Sequence, residues 1–138
     1  NRAIYIFKNA KSLKKGFSYD IQVNQIYDFY GLKEIKDFNI LKENSDYKDY
    51  KELFLDASKI DIFDFKYENE IITNLKGFIV KGKLQINGGK TIKLFAKDKN
   101  ILPKDGSIIE IIEAQLGSYR GNMQIIFHSK DDYEEIKW

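Results

Sequence analysis

Few side chains in this chain could support acid–base or metal chemistry. His128 is the only histidine, and a general base or a metal ligand would need carboxylates beside it, which Asp131 and Asp132 supply only as near neighbours in sequence. No HxH or HExxH spacing occurs. The chain has no cysteine, which excludes Cys-type zinc sites, disulfides and thiol nucleophiles. The sequence therefore predicts no catalytic residue and no metal site, with His128 at the surface at a strand end.

Clustered carboxylates are the second candidate for chemistry. Oxygen-rich clusters could bind calcium, but neither cluster follows the EF-hand loop pattern, and the glycines match neither a Walker loop nor GxGxxG. We interpret the clusters as solvated faces, since charge runs are usually that, and expect no cofactor. The two clusters are Asp61, Asp64, Glu68 and Glu70, and Asp131, Asp132, Glu134 and Glu135.

Two turns framed or closed by glycine, Tyr27-Asp-Phe-Tyr-Gly31 and Gly117-Ser-Tyr-Arg-Gly121, carry the side chains best suited to binding. Tyr30 and Tyr119 could stack on nucleotide bases, and Arg120 could pair with phosphate or stack as well. The tyrosines could instead be cross-strand packing partners, and the nearby lysines could simply keep sheet edges soluble. Both interpretations stay open at this point. The lysines that could follow a nucleic-acid backbone are Lys81, Lys83, Lys90 and Lys93.

Composition indicates a folded domain without an extreme electrostatic character. The 138 residues are 43% hydrophobic and 14% aromatic, enough to bury a core. The formal net charge of +2 is too small for a strong nucleic-acid footprint. No apolar run approaches the ~20 residues that span a bilayer. The chain starts at Asn1 without a signal-like segment, so we expect a piece of a longer protein whose export signal, if any, lies outside it.

The elements that would position these turns are short strands. Apolar and polar residues alternate from Tyr19 to Tyr27, Gly31 supplies a turn, and 32–41 returns as a partner strand. Further on, 71–86 is apolar with bends at its glycines, Asn87-Gly88-Gly89 signals a hairpin, and 91–96 returns. A second hairpin follows over 107–128. Residues 131–138 could form a short helix or a closing strand.

An internal repeat relates the two halves of the chain. The stretch 19–38 has the same plan as 108–127, with a glycine that opens each unit, a glycine in each turn, and a polar residue plus isoleucine three residues later. Self-similarity of this kind predicts one structural unit used twice. The matching positions are Gly16 and Gly106, Gly31 and Gly121, Glu34-Ile35 and Gln124-Ile125, and Ala3–Phe7 and Thr91–Phe95.

These patterns predict an all-β protein built on an OB-like Greek-key barrel over 71–138, with a partial OB-like unit over 1–41. Residues 42–70 would be a linker with extra strands: 50–67 is expected to be mostly extended, with a short helix near 47–53. The first unit has only three strands, so it is either truncated or completed by 50–67. Ile21 and Ile111 should face the interior.

The phrase GFSYDIQVNQIYDFYGLKEI resembles the segment G-D-x-V-x-V-x-G-x-V-x-E-Y-Y-G-L-T-E-I, which is common in OB-fold domains attached to secreted bacterial nucleases. DGSIIEIIEAQLGSYRGNMQI is a looser copy, and KYENEIITNLKG is similar to the stretch that begins such a domain. The resemblance covers about half of the chain. It implies tandem OB-like modules in an exported bacterial protein, secreted, periplasmic or at the cell surface, next to a nuclease domain.

The resemblance carries no catalytic residues, because the nuclease active site of such proteins lies in another domain. We therefore expect a non-catalytic module that binds single-stranded nucleic acid through Tyr30, Tyr119, Arg120 and the four lysines. The alternative is a structural or protein-interaction module that orients an adjacent domain of the same parent protein.

Overall fold

The computed structural model describes residues 3–44 and 46–137. Within these ranges the chain forms twelve strands and six single-turn 3-10 helices, and no α-helix. The all-β prediction is confirmed. None of the helical turns in the described ranges is long and apolar enough to cross a membrane.

The twelve strands fall into two sheets, one of three strands and one of nine. The strands are β1 (Tyr5–Ile6), β2 (Tyr19–Phe29), β3 (Leu32–Glu43), β4 (Leu55–Asp56), β5 (Ile71–Thr73), β6 (Leu75–Val80), β7 (Lys83–Gln85), β8 (Thr91–Ala96), β9 (Ile108–Ile111), β10 (Ala114–Tyr119), β11 (Asn122–Phe127) and β12 (Tyr133–Ile136). The 3-10 helices are Ala10–Ser12, Tyr50–Leu53, Ala57–Lys59, Phe65–Tyr67, Lys99–Ile101 and Lys130–Asp132.

The first sheet has the order β1-β3-β2 and is built on the hairpin of β2 and β3. Tyr30 and Gly31 form its two-residue turn, and both have left-handed backbones, with φ of 51° and 97°. This geometry matches the right-handed twist of the flanking strands, and the Gly31 amide donates to Asp28 Oδ1 at 2.7 Å. The return strand was expected to end at Leu41 but continues to Glu43, which shortens the linker.

The second sheet has the order β12-β9-β6-β7-β8-β11-β10-β5-β4. β6, β7 and β8 form a meander, β8 runs parallel to β11, and β11 pairs antiparallel with β10. The Asn87-Gly88-Gly89 hairpin is confirmed, since Gln85 faces Thr91 and the Ile86 amide donates to the Lys90 carbonyl. The sheet is open, because its edge strands β12 and β4 do not pair with each other.

Two chain segments of this sheet, 71–80 and 108–119, face each other at both of their ends. β5 pairs with β10 and β6 pairs with β9, all antiparallel. Each segment is interrupted once: the first at Asn74, where φ is 60°, and the second at 112–113, whose amides donate to the Asp132 carbonyl. The two interruptions lie opposite each other, so both segments bend at the same place. This one pair of segments therefore forms four strands: β5, β6, β9 and β10.

The main core lies within the second sheet. Ile111 is fully buried there, as the sequence predicts, together with Leu116 and Ile125. Ile21 was expected to be an interior residue too, but it is only half-buried. The physical reason is that the first sheet has three strands, and no other described strand pairs along the outer edge of β2.

Residues 50–67 differ most from expectation. Only Leu55–Asp56 is a strand; the rest forms 3-10 turns, of which Tyr50–Leu53 corresponds to the short helix expected near 47–53. Three of these turns begin at aspartates whose carboxylates accept the amide two residues on: Asp49, Asp56 and Asp64. Such turns compete with extended structure. Since β4 pairs with β5 of the second sheet, these residues do not complete the first sheet, which excludes one of the two alternatives for the first unit.

The internal repeat is present in the strand pairing. Tyr5 faces Glu34 and Ile6 faces Ile35 across the parallel pair β1–β3. Lys93 faces Gln124 and Leu94 faces Ile125 across the parallel pair β8–β11, at the positions that the sequence repeat aligns. Of the two structures left open for 131–138, a strand forms at Tyr133–Ile136 after one 3-10 turn, and Trp138 lies outside the described residues.

Candidate functional site

The two glycine turns singled out from the sequence meet in space. The backbone amide of Arg120 donates to the Tyr30 carbonyl at 3.1 Å. The Tyr30 and Tyr119 rings lie 4.9 Å apart in an edge-to-face arrangement, and the Arg120 guanidinium lies 4.8 Å from the first ring centroid and 5.2 Å from the second. Phe29 packs edge-on against Tyr30 at 4.9 Å. We call Phe29, Tyr30, Tyr119 and Arg120 the turn cluster.

The turn cluster depends on an unusual local backbone. Tyr30 and Arg120 each occupy the first position of a two-residue turn, with φ of 51° and 49°. A left-handed conformation costs a residue with a Cβ about 1–2 kcal/mol, so Asn or Gly normally fills such positions. A tyrosine and an arginine at these two equivalent positions are therefore a departure that points to a role for their side chains.

The turn cluster is open to solvent. Tyr30 is 50% exposed and Phe29 is 40% exposed, Arg120 is exposed, and Tyr119 is half-buried between its neighbours. Contacts among the rings therefore use only part of their surface, and free aromatic faces remain. The two tyrosines pack against each other between the turns rather than across one pair of strands, and this packing still leaves the surface available.

Two of the four candidate lysines lie next to the turn cluster. Lys93 Nζ is 5.9 Å from the centroid of the Tyr119 ring. Lys83 lies directly opposite Lys93 across β7–β8. Like charges directly opposite on a sheet repel each other, which favours a bound anion between them. The outer face of β7–β8 thus joins the turn cluster at Lys93.

The other two lysines lie in the turns at either end of β7. Lys81 is the first residue of the tight turn between β6 and β7, with φ of 50°. Lys90 sits with its Nζ 5.5 Å from the Phe63 ring and lines a separate cavity of about 240 Å³. Counting the apolar run 71–86 as one strand predicts Ile86–Lys90 as the loop between the first two strands of the second unit. That prediction is wrong, because Lys81–Gly82 makes that connection and 86–90 joins β7 to β8.

Two exposed phenylalanines on the same surface were missed by the sequence analysis. Phe95 is 43% exposed and follows Lys93 by two residues on the outer face of β8. Phe78 is 42% exposed and faces Gln85 across β6–β7. The signal was available in the sequence: strict alternation over Thr91–Ala96 places Phe95 on the face opposite the core residues Ile92 and Leu94.

His128 belongs to a polar network between the two sheets. Its Nε2 donates to Gln115 Oε1 at 2.7 Å, and Gln115 Nε2 donates to Asn69 Oδ1 at 2.8 Å. The His128 ring stacks on Tyr5 with centroids 6.1 Å apart. Gln115 is buried, so its amide needs both partners. The network reaches the first sheet through Asn69, whose Nδ2 donates to the Lys33 carbonyl at 3.4 Å. Within the described ranges no group of three or more His, Asp or Glu side chains could hold a metal.

Glu34 is a buried charge of the first sheet. It lies in β3 opposite Tyr27 on one side and Tyr5 on the other, and only 7% of it is exposed. Burial raises the pKa of the Glu34 carboxyl, because the apolar surroundings disfavour its charged form. The corresponding residue of the second unit is the neutral Gln124, which is also buried.

No protein-family model matches the chain, and no curated protein is significantly similar to it. The nuclease-associated resemblance therefore depends on the quoted residues alone.

Proposed function

We propose that the chain is a non-catalytic OB-like module that binds single-stranded nucleic acid on the outer face of β7–β8 and on the turn cluster. The observation that carries the proposal is the convergence of Tyr30, Tyr119 and Arg120, with Lys93 beside them. Solvent-open aromatic faces next to cationic groups are the combination that single-stranded nucleic acid uses.

Strand pairing supports an OB-like arrangement of the second unit. In chain order, 71–80 pairs with 83–85, which pairs with 91–96, which pairs in parallel with 122–127. The last of these pairs with 108–119, which pairs back with 71–80. A five-stranded, partly open Greek-key barrel of this order binds oligonucleotides on the face of its second and third strands, between the loops that follow strands 1 and 4.

When the five paired segments of the second unit are counted in chain order, the second and third are β7 and β8. The loops that follow the first and the fourth segments are Lys81–Gly82 and Arg120–Gly121. Bases would stack on Tyr30, Tyr119 and Phe95, each contact contributing ~1–3 kcal/mol. Phosphates would contact Lys83, Lys93 and Arg120. With about three phosphate contacts, the affinity for single strands should fall with salt with a log–log slope of roughly −2.

An oligonucleotide-binding experiment tests the proposal. Fluorescence anisotropy with a labelled single-stranded DNA and an RNA of the same sequence, at low and at moderate salt, should show binding that Tyr119→Ala and Arg120→Ala each weaken by about five-fold or more. Lys76→Ala is the matched control, because Lys76 faces Glu110 on the β6–β9 pair and lies outside the proposed surface. Absence of binding at low salt, or an equal loss in the Lys76 variant, contradicts the proposal.

The second candidate function is a module that orients a neighbouring domain of an exported nuclease-related protein. Isolated apolar side chains on the surface favour it: Phe7, Leu41 and Leu53 are 54%, 66% and 70% exposed. In that case oligonucleotides do not bind at any salt concentration, and these residues become protected in the parent protein. Solvent labelling of the parent protein and of the 138-residue chain distinguishes the two candidates.

A further inference from the structure

The first sheet reproduces three of the five segments that form the pairing circuit of the second unit. β1, β2 and β3 correspond to β8, to 108–119 and to β11, in the same register. The two segments without a counterpart are 71–80 and 83–85. In the second unit these two form a hairpin that occupies the outer edge of 108–119 and the outer edge of β8. In the first sheet both corresponding edges are unpaired among the described residues.

At the two outer edges, side chains of the first sheet are more exposed than the equivalent core side chains of the second unit. Leu116 is fully buried, whereas the equivalent Ile26 is 55% exposed. Ile92 is 2% exposed, whereas the equivalent Ile4 is 45% exposed. Ile35, which lies on the central strand of the first sheet, is as buried as its counterpart Ile125. The uncovered side chains are thus those at the two outer edges.

Backbone groups at the edge are also free to pair. The Leu116 amide donates to the Glu70 carbonyl at 2.8 Å, and the Leu116 carbonyl accepts from Asn69. Ile26 faces Ile35 in the same register in which Leu116 faces Ile125. The Ile26 amide and carbonyl therefore point away from β3, toward the open edge of β2.

The edge of β2 lacks several of the features that normally prevent strand addition, since it is 11 residues long and contains neither lysine nor proline. It does carry two aspartates and shifts of register next to Ile21, Gln25 and Ile26. Protected edges are usually short or carry such residues, and a long apolar edge is a template for another strand. Val23, Ile26 and Tyr27 are all large and exposed along it.

We propose that the open edges of β2 and β1 bind a β-hairpin whose residues alternate between apolar and polar, joined to the parent polypeptide directly ahead of Asn1. The order of the repeat sets this position, because 71–85 precedes the parallel strand β8 by only five residues, 86–90. The same spacing ahead of β1 places the hairpin before the first residue of this chain. The bound hairpin covers Ile4 and Ile26 and pairs with the Ile26 backbone.

Hydrogen exchange tests the proposal. The 138-residue chain is compared with the parent polypeptide that contains the residues encoded ahead of Asn1, and exchange is followed for amides in β2. We expect the Ile26 amide to exchange at least about ten-fold more slowly in the longer chain, as a newly formed ladder bond requires. Equal exchange in both chains overturns the proposal, and so does a gene that encodes no such segment.

Variants separate strand addition from a general effect of chain length. Ile26→Lys should lower the melting temperature of the longer chain by several degrees and leave that of the 138-residue chain unchanged, because the side chain is already exposed there. Ile112→Lys, at an exposed isoleucine outside the first sheet, should change neither. An equal loss in both chains, or Ile26 protection that rises with the concentration of the 138-residue chain through self-pairing, overturns the proposal.

Discussion

The Arg120 amide donates to the Tyr30 carbonyl at 3.1 Å, and this bond joins the turn of one hairpin to the turn of the other. Both residues hold the same position in equivalent turns of the repeat, and both have left-handed backbones. The two units therefore contact each other through the same element, tip to tip. The edge-to-face contact of Tyr30 and Tyr119 and the bond from Asn69 to the Lys33 carbonyl also hold the two units together.

A double-mutant cycle should detect coupling between Tyr30 and Tyr119. Tyr30→Ala and Tyr119→Ala, singly and together, should show an interaction free energy of about 0.5–1.5 kcal/mol in urea unfolding, as expected for an edge-to-face pair. The control cycle pairs Tyr30→Ala with Phe78→Ala on β6, a residue outside the turn cluster, and should be additive. Additivity in the first cycle would show that the rings do not stabilise the contact.

Gly77→Ala should destabilise the protein more than Gly117→Ala. A Cβ at Gly77 would meet the Gln85 carbonyl oxygen at 2.5 Å and Leu84 at 2.6 Å, and the backbone oxygen cannot move without breaking the β6–β7 pairing. A Cβ at Gly117 would contact chiefly the Cδ1 end of Ile126, which can shift. We expect a loss of about 1–3 kcal/mol at Gly77 and a smaller loss at Gly117, measured by urea denaturation. The reverse order would contradict the packing of β6 against β7.

Glu34→Gln should change the pH dependence of stability. Burial raises the pKa of Glu34 in the folded state above its value in the unfolded chain. As pH rises, the unfolded chain therefore loses this proton first. The wild-type protein loses stability over the pH interval between the unfolded-state and folded-state pKa values of Glu34. The uncharged variant escapes this loss. The gain in unfolding free energy of Glu34→Gln over wild type should therefore be larger at pH 7 than at about pH 4.

Chemical denaturation across this pH range measures the Glu34 effect. Glu43→Gln removes the same charge from an exposed side chain and serves as the control. The difference in unfolding free energy between wild type and Glu34→Gln should change with pH. A difference that stays constant, or that matches the one for Glu43→Gln, would argue against a buried carboxyl at this position.

Gln115→Met should destabilise the protein. The change keeps the length of the side chain but removes the bonds to His128 and Asn69, and it leaves the Asn69 amide oxygen without this donor. The expected cost is about 1–3 kcal/mol in thermal or urea unfolding. Asn24→Ala, which removes one bond to Asp37 at an exposed site, is the control and should cost less. Equal losses of unfolding free energy in the two variants would mean that the buried Gln115 amide contributes no more stability than the control residue.

Hairpins were the part of the fold that the sequence predicted well. Glycines with positive φ mark their turns, as at Gly31 and Gly121, and alternation of apolar and polar residues identifies the strands between them. The repeat could also be aligned to the correct residue, because a polar residue followed by isoleucine recurs at a fixed distance from each turn. Local backbone chemistry decides such features, and the sequence reports it directly.

Features that depend on distant contacts were not predictable in this way. In 60–67, alternating apolar residues suggested strands, but Asp61 and Asp64 accept backbone bonds that close tight turns instead. The meeting of Tyr30 with Arg120 depends on how one hairpin rests on the other, which no local pattern encodes. Lys90 was grouped with Lys93 by proximity in sequence, yet it contacts Phe63 and not the turn cluster.

Because each repeat contributes two of the four side chains of the turn cluster, neither half of the gene encodes this surface by itself. A proteolytic cut in the exposed stretch 46–49 that let the halves separate would abolish the surface without altering any residue in it. A gene rearrangement that transferred one half alone would likewise separate Phe29 and Tyr30 from Tyr119 and Arg120. The two repeats can therefore diverge in sequence, but they have to be inherited together.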